Sequence, residues 1–353
     1  MQHFFYPTLE AFLQEPKNRK HRWLLLIAEK TPFDHTKIQD APFECYGGIF
    51  SQVIYDDQHL EEGLIAITLE TTPILLDMRD SIDEKSFELS KVPTMLAFVD
   101  GLSTYIDHFL VDLFNNLNTK ISLIGGGAGK LTLKQEPILF TPTSFTQDSA
   151  LLIPLEQHLS MGVKHGWDFL EGPLVATSSN KTALYQLNYQ DAFSFYKKVV
   201  ETDSGRNFDD EAFFDLAKLY PLGIITVSGE TIVRDPITHQ GETLILVGDM
   251  PENSVVNILK GDPKHLIKAA SHAASIAYAS SQDNGCLDST VIMIDCISRV
   301  LFLQKDFVKE IQAVQKELPS SHIIGILTLG EISNNGDTYI NFYNKTCVVG
   351  SLC

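Results

Sequence analysis

Positive charge is scarce in this sequence. Its 353 residues include 27 lysines and arginines against 45 aspartates and glutamates, a net charge of −18. So acidic a surface, with its charges dispersed, repels nucleic-acid backbones and anionic lipid, and neither is expected as a partner. Long apolar runs are missing too. Stretches such as WLLLIA (Trp23–Ala28) have the length of a strand and are too short to span a bilayer. The opening MQHFFYPTLE has no basic stretch followed by a long apolar one, so no secretory signal is expected. The five cysteines are scattered, with no Cys-x-x-Cys and no Cys-x-x-Cys-His. That argues against structural zinc, a dithiol redox site and covalent c-type haem, and it reads as a reducing cytoplasm. No Gly-x-Ser-x-Gly elbow and no His-Glu-x-x-His helix occurs.

What is present is an ordinary globular composition, 44% hydrophobic and 20% charged, in a chain long enough for two domains. Short apolar or alternating runs predict strands at 23–28, 63–69, 95–99, 151–154, 174–177, 223–227, 243–247, 291–295, 323–329 and 338–342. Helices are fewer. Asp100 is expected to cap a helix with Leu102, Ile106, Leu110 and Leu113 on its apolar face. Residues 190–201, 208–220 and 305–318 also read as helical. Asp262-Pro263 marks a further helix start, with Leu266, Ala269, Ala270, Ala273 and Ile276 on one face. Strands with irregularly interspersed helices predict an α+β fold: two mixed domains with largely antiparallel or mixed sheets. The polar stretch ETDSGRNFDD suggests their boundary, giving domains 1–205 and 206–353.

SLIGGGAGK (122–130) raises the question of a phosphate cradle. A P-loop ending at Gly129-Lys130 needs glycine at 124 and a hydroxyl at 131, where the chain has Ile124 and Leu131. A dinucleotide fingerprint from Gly125 and Gly127 needs glycine or alanine where Lys130 stands. KLTLKQ then alternates like a strand, so no helix N-terminus faces the glycines. The stretch reads as a turn between two strands, with Gly125, Gly126 and Gly127 as candidates to line a ligand pocket, since glycines permit close backbone approach.

Several segments, in order, resemble the FIST sensory proteins. FVDGLSTYIDHFLVDLF and ISLIGGGAGKLTLKQEPILFT are followed by GVKHGWDFLEGP, YPLGI, IVRDPI, SVVNILKGD and IDCISRVLF, and finally by LTLGEIS and FYNKTCVVG. The resemblance spans nearly the whole chain, from about Trp23 to Gly350, and its more specific motifs lie in the C-terminal half. It implies an N-terminal and a C-terminal FIST domain that together sense a small molecule, and not an enzyme. Stand-alone relatives resemble nitric-oxide-sensing haemoproteins that act on a histidine kinase. The signal is then expected to pass to a separate protein.

Haem needs an apolar slot and an axial ligand, often a neutral imidazole. Among eleven histidines, His165 in GVKHGWDF is the first candidate ligand, with Trp167 placed to pack against a flat ring. His272, amid the alanines of AASHAASIAYA, is the second. The plainer alternative has His165 bonding across a domain seam and Trp167 in the core; His108 reads as solvated. An amino-acid-like ligand held without haem would use Arg234 on its carboxylate, beside Asp235, or Arg234 pairs internally with an acid instead. Arg299 is expected to be partly buried and therefore partnered, with Glu331 as the favoured partner; Glu331 and Asn344 are placed on adjacent strands near the pocket. A cysteine-dependent hydrolase through Cys296 or Cys347 is a further alternative, but Cys296 reads as a small buried hydrophobe and Cys353 as a frayed terminus.

Overall fold

Uninterrupted apolar runs become parallel strands buried on both faces, as such strands require. In the computed structural model, which describes residues 1–82, 92–117, 121–226, 229–285, 290–318, 322–334 and 339–353, Arg22–Ala28 runs parallel to Cys45–Phe50. Thr94–Asp100 runs parallel to Ser122–Ala128, and Thr290–Cys296 to Ile323–Thr328. Each pair lies within its own six-stranded sheet, whose other pairings are antiparallel. A fourth sheet is antiparallel throughout. It passes from Asp168–Asn180 through Val255–Lys260, Leu222–Ile225, Thr231–Gln240 and Thr243–Val247 to Ala183–Leu187. Ala183–Leu187 pairs back onto Asp168–Asn180, which closes the ring. The fold is α+β, as the sequence predicts.

Three of the four sheets draw strands from both sides of residue 205. Gln52–Tyr55 and Leu159–Lys164 join the sheet of Thr290–Cys296, while Glu331–Asn334 and Asn341–Tyr343 extend the sheet of Ser122–Ala128. The Pro263–Asp283 helix starts where Asp262 accepts hydrogen bonds from the backbone of Lys264 and His265, as expected of an aspartate–proline start. Its buried face carries Leu266, Ala270, Ala273, Ala274 and Ala277 and packs on Leu159–Lys164 and on the Phe307–Glu317 helix.

Several local expectations are corrected. The glycine stretch is not a turn; its glycines lie inside the buried strand Ser122–Ala128. A Cβ at Gly125 would lie 1.7 Å from the Ala97 carbonyl oxygen of the neighbouring strand, so no larger residue fits. The KLTLKQ segment that follows is irregular and forms no strand. Asp100 caps no helix: the helix starts at Ile106, and Asp100 instead accepts from the backbone of Leu102 and Asp148 and from Gln135. Helix between 208 and 220 is confined to Phe213–Ala217, since Asn207 accepts from the Asp209 N–H and holds a turn there. The chain end is held by reciprocal backbone bonds between Cys353 and His158, and Cys353 is disulfide-bonded rather than frayed. Val227 and Thr338, expected at strand ends, lie outside the described residues.

Candidate ligand-binding site

Alternation along Thr231–Gln240 separates two neighbouring charged residues. Asp235 and Ile237 face a cavity of about 580 Å³, while Arg234 does not line it. The Arg234 guanidinium donates to the carbonyls of Asp249, Val233 and Phe342, so it is engaged by backbone and not by an acid or a ligand. Gly101 and Leu102, in the turn after Thr94–Asp100, and Leu131 and Leu133, in the irregular segment after Ser122–Ala128, also line it. Val247 closes it from the ring, Phe214 from the Phe213–Ala217 helix, and Leu329 and Gly330 from the turn after Ile323–Thr328. At the end of Thr290–Cys296 the chain turns directly into the Ile297–Leu303 helix, which brings Cys296, Ile297, Ser298 and Leu301 to the wall. Asn344 completes it.

The three glycines support this wall from behind. Gly127 exchanges backbone hydrogen bonds with Leu329 and Gly330, and a Cβ on Gly126 would meet Thr328 and the Gly330 carbonyl at 2.7 and 2.8 Å. They permit the close approach that was expected of them, without lining the cavity themselves.

Behind the cavity lies a buried charge network. Lys345 is fully buried; its Nζ is 3.0 Å from Asp235 Oδ2, donates to the Lys218 carbonyl, and sits 5.0 Å from the Trp167 ring centre. Ser298 Oγ donates to the same Asp235 oxygen. Arg299 is also fully buried and faces Glu310 in a two-pronged contact at 2.9 and 2.8 Å, with Asp295 at 3.1 Å. Its partner is therefore not Glu331, and it stands on the Ile297–Leu303 helix. Glu331, paired across strands with Tyr343 next to Asn344, accepts instead from Thr328 Oγ1 and the Thr346 N–H. Burial pushes Glu331 up to about 8 against these donors. Burial and the neighbouring Glu310 also raise the Asp295 carboxyl, while Arg299 opposes the rise. Asp295, Glu310 and Cys347 come close enough together to suggest a metal site, but the Arg299 guanidinium already takes the cation's place between the two carboxylates.

Asp235 and Asn344, each 2% exposed, line the cavity; their Oδ1 atoms have no partner among the described residues and are packed out of reach of solvent.

The histidines stand elsewhere. His165 Nδ1 accepts from the Trp167 N–H, and its own carbonyl accepts from Arg299, which is the bond across a seam. Burial, then the Arg299 charge, pushes His165 down to about 4. Trp167 is core: its ring packs on Phe302 and its indole N–H donates to the Lys345 carbonyl. His272 is exposed on the outer face of its helix, and His108 is exposed too. Sequence reasoning missed Lys345, Glu310 and Ser298. Lys345 had a legible signal, a lone cation inside the apolar stretch NFYNKTCVVG.

The cavity is mainly apolar with a few polar residues in its wall, the make-up of small-molecule pockets, and it draws on segments from both sides of residue 205. Residues 36–190 match the FIST N domain and residues 192–334 the FIST C domain; the chain belongs to the FIST family, whose domains serve sensing in signal transduction. No curated protein matches the chain.

Proposed function

We propose that the chain senses a small molecule held in this cavity and reports its occupancy to a separate signalling protein. The observation that carries the reading is the cavity itself, mainly apolar with a few polar residues, Asp235, Ser298 and Asn344, in its wall. About 580 Å³ falls within the range of small-molecule pockets. Its wall draws on segments from both sides of residue 205, so an occupant that touches both favours one arrangement of them, and a partner that prefers this arrangement reads the signal. A histidine kinase is the partner that the resemblance implies.

Haem with nitric oxide as the signal fits these residues poorly. No histidine lines the cavity among the described residues, and neither His165 nor His272 reaches it. The cavity's one thiol, Cys296, is pushed well above its ordinary value by burial and by Glu331 beside it, which disfavours the thiolate that iron would need. The same shift disfavours a cysteine nucleophile, and the reading is of a binding protein and not an enzyme. Arg234, the intended grip on an amino-acid carboxylate, is engaged elsewhere.

No helix among the described residues is long and apolar enough to cross a membrane. The free thiols of Cys45, Cys296 and Cys347 support a cytoplasmic setting, and the disulfide at Cys353 stands against it. Thiol labelling of Cys353 in freshly lysed cells separates the two.

The test is a thermal-shift screen of small molecules against the wild-type chain and Ile237→Trp, which fills the cavity. Molecules that raise the melting temperature of the wild type only support the reading. Equal shifts in both proteins reject the cavity as the site. Added haemin is expected to give no sharp Soret band; such a band would restore the haem reading.

A further inference from the structure

Resting on that reading, we propose that the cavity's ligand is an uncharged, mainly apolar molecule carrying a hydrogen-bond acceptor such as a carbonyl. The lack of charge follows from the wall. Among the described residues, Asp235 is the only charged side chain that lines the cavity. Its Oδ2 already accepts from Lys345 Nζ and Ser298 Oγ, both at 3.0 Å, and its Oδ1 is packed out of reach. A ligand cation would compete with a lysine already in place. A ligand anion fares no better, since no lysine, arginine or histidine lines the cavity among the described residues. Lys345 points its ammonium at Asp235, the Lys218 carbonyl and the Trp167 ring, and Arg234 is bound by three carbonyls. Burial raises the Asp235 carboxyl against the pull of Lys345, so the wall solvates even its own charge poorly. An ion brought in from water would lose hydration without gaining a counter-charge, a cost that a neutral molecule escapes.

The apolar body follows from Leu102, Phe214, Ile237, Val247 and Leu301, which form much of the enclosure. Leu131 and Leu133 give a second, independent sign. Both line the cavity, yet they are 38% and 54% exposed. Leu133 also holds a φ of +51°, a conformation that bulky residues rarely adopt. Their backbone is tied in this position: the Leu131 N–H donates to Glu29 Oε2 and the Leu133 N–H to the Lys130 carbonyl. An apolar occupant removes from water the surface that these two leucines present. The acceptor follows from Asn344. Its side-chain carbonyl is sealed into the wall, while its amide nitrogen has no partner among the described residues and is left open to the cavity. An amide N–H donates, so the matching group on the occupant accepts. Ser298 does not fill that donor role, because its hydroxyl proton is directed at Asp235.

The test titrates the full chain with prodan, a neutral fluorescent ketone whose emission moves to the blue in apolar surroundings. Four naphthalenes substituted at the same position then compete for the site: acetonaphthone, ethylnaphthalene, naphthoate and naphthylmethylamine. The ketone is expected to displace prodan at least about tenfold better than the carboxylate or the amine. It should also act about fivefold better than the hydrocarbon, the worth of one hydrogen bond. Asn344→Leu should erase that second margin while leaving the hydrocarbon within about twofold. If Asn344→Leu fails to fold, the ranking in the wild type carries the test alone. A charged competitor that matches the ketone overturns the neutral assignment. A ketone no better than the hydrocarbon, or a margin that survives Asn344→Leu, overturns the acceptor. Prodan binding that persists in Ile237→Trp rejects the cavity as its site. Should none of these probes bind while other molecules still stabilise the wild type but not Ile237→Trp, the cavity stands and this assignment fails. If nothing binds at all, both fail.

Discussion

His165 is held neutral by its surroundings. Burial and the Arg299 charge lower it from 6.5 to about 4, and its Nδ1 is occupied as an acceptor. A folded pKa below the unfolded one means that the stabilisation is complete above pH 6.5 and is lost as pH falls through 4. The shift corresponds to about 3 kcal/mol. Urea denaturation of the wild type and His165→Asn between those pH values should show the steeper loss in the wild type, because asparagine keeps an acceptor but takes no proton. Parallel curves would show that His165 does not titrate in this way. The sequence singled out Arg299 as needing a partner and Glu331 as that partner; both are partnered, but not with each other. Arg299 meets Glu310 only because the Ile297–Leu303 and Phe307–Glu317 helices fold against each other, which spacing along the chain does not reveal. Asp235, singled out beside Arg234, and Asn344, singled out with Glu331 near the end of the chain, both line the cavity.

At the scale of the element, the glycine strand is the clearest departure from local sequence preference. Glycine is poor in strand interiors because it gives up the most backbone entropy and packs no side chain. Ser122–Ala128 forms nevertheless, since only glycine lets it approach Thr94–Asp100 on one side and the Leu329–Gly330 turn on the other. Gly125→Ala is expected to cost about 2 kcal/mol or more, read as a lower urea midpoint, because the atom it would strike is backbone and cannot rotate away. An unchanged midpoint would mean that the strands have room to part. Apolar runs such as WLLLIA revealed their strands directly. Sequence read the glycines as a turn because the tertiary approach that demands them is invisible locally. The overlong helix expected at 208–220 failed for the converse reason, as Asn207 diverts the backbone into a turn that apolar periodicity does not register.

At the scale of the whole molecule, the two family domains are continuous in sequence but share sheets. Glu331–Asn334 completes the sheet of Ser122–Ala128, and Gln52–Tyr55 completes that of Ile323–Thr328. Fragments 1–205 and 206–353, expressed separately, are expected to lack cooperative unfolding, since each would expose unpaired strand edges. A sharp thermal transition in either fragment would contradict this interlocking. The same exchange places the cavity where both parts of the chain meet, so the proposed occupant would contact segments more than 200 residues apart, from Gly101 to Asn344. Amide hydrogen exchange of the full chain, with and without the most strongly stabilising molecule from the thermal-shift screen, tests that claim most directly. The account expects slowed exchange at residues 101–102, 131–133, 296–301, 329–330 and 344 together, because one ligand closes them around itself. Protection confined to one side of residue 205, or lying away from these segments, would contradict it.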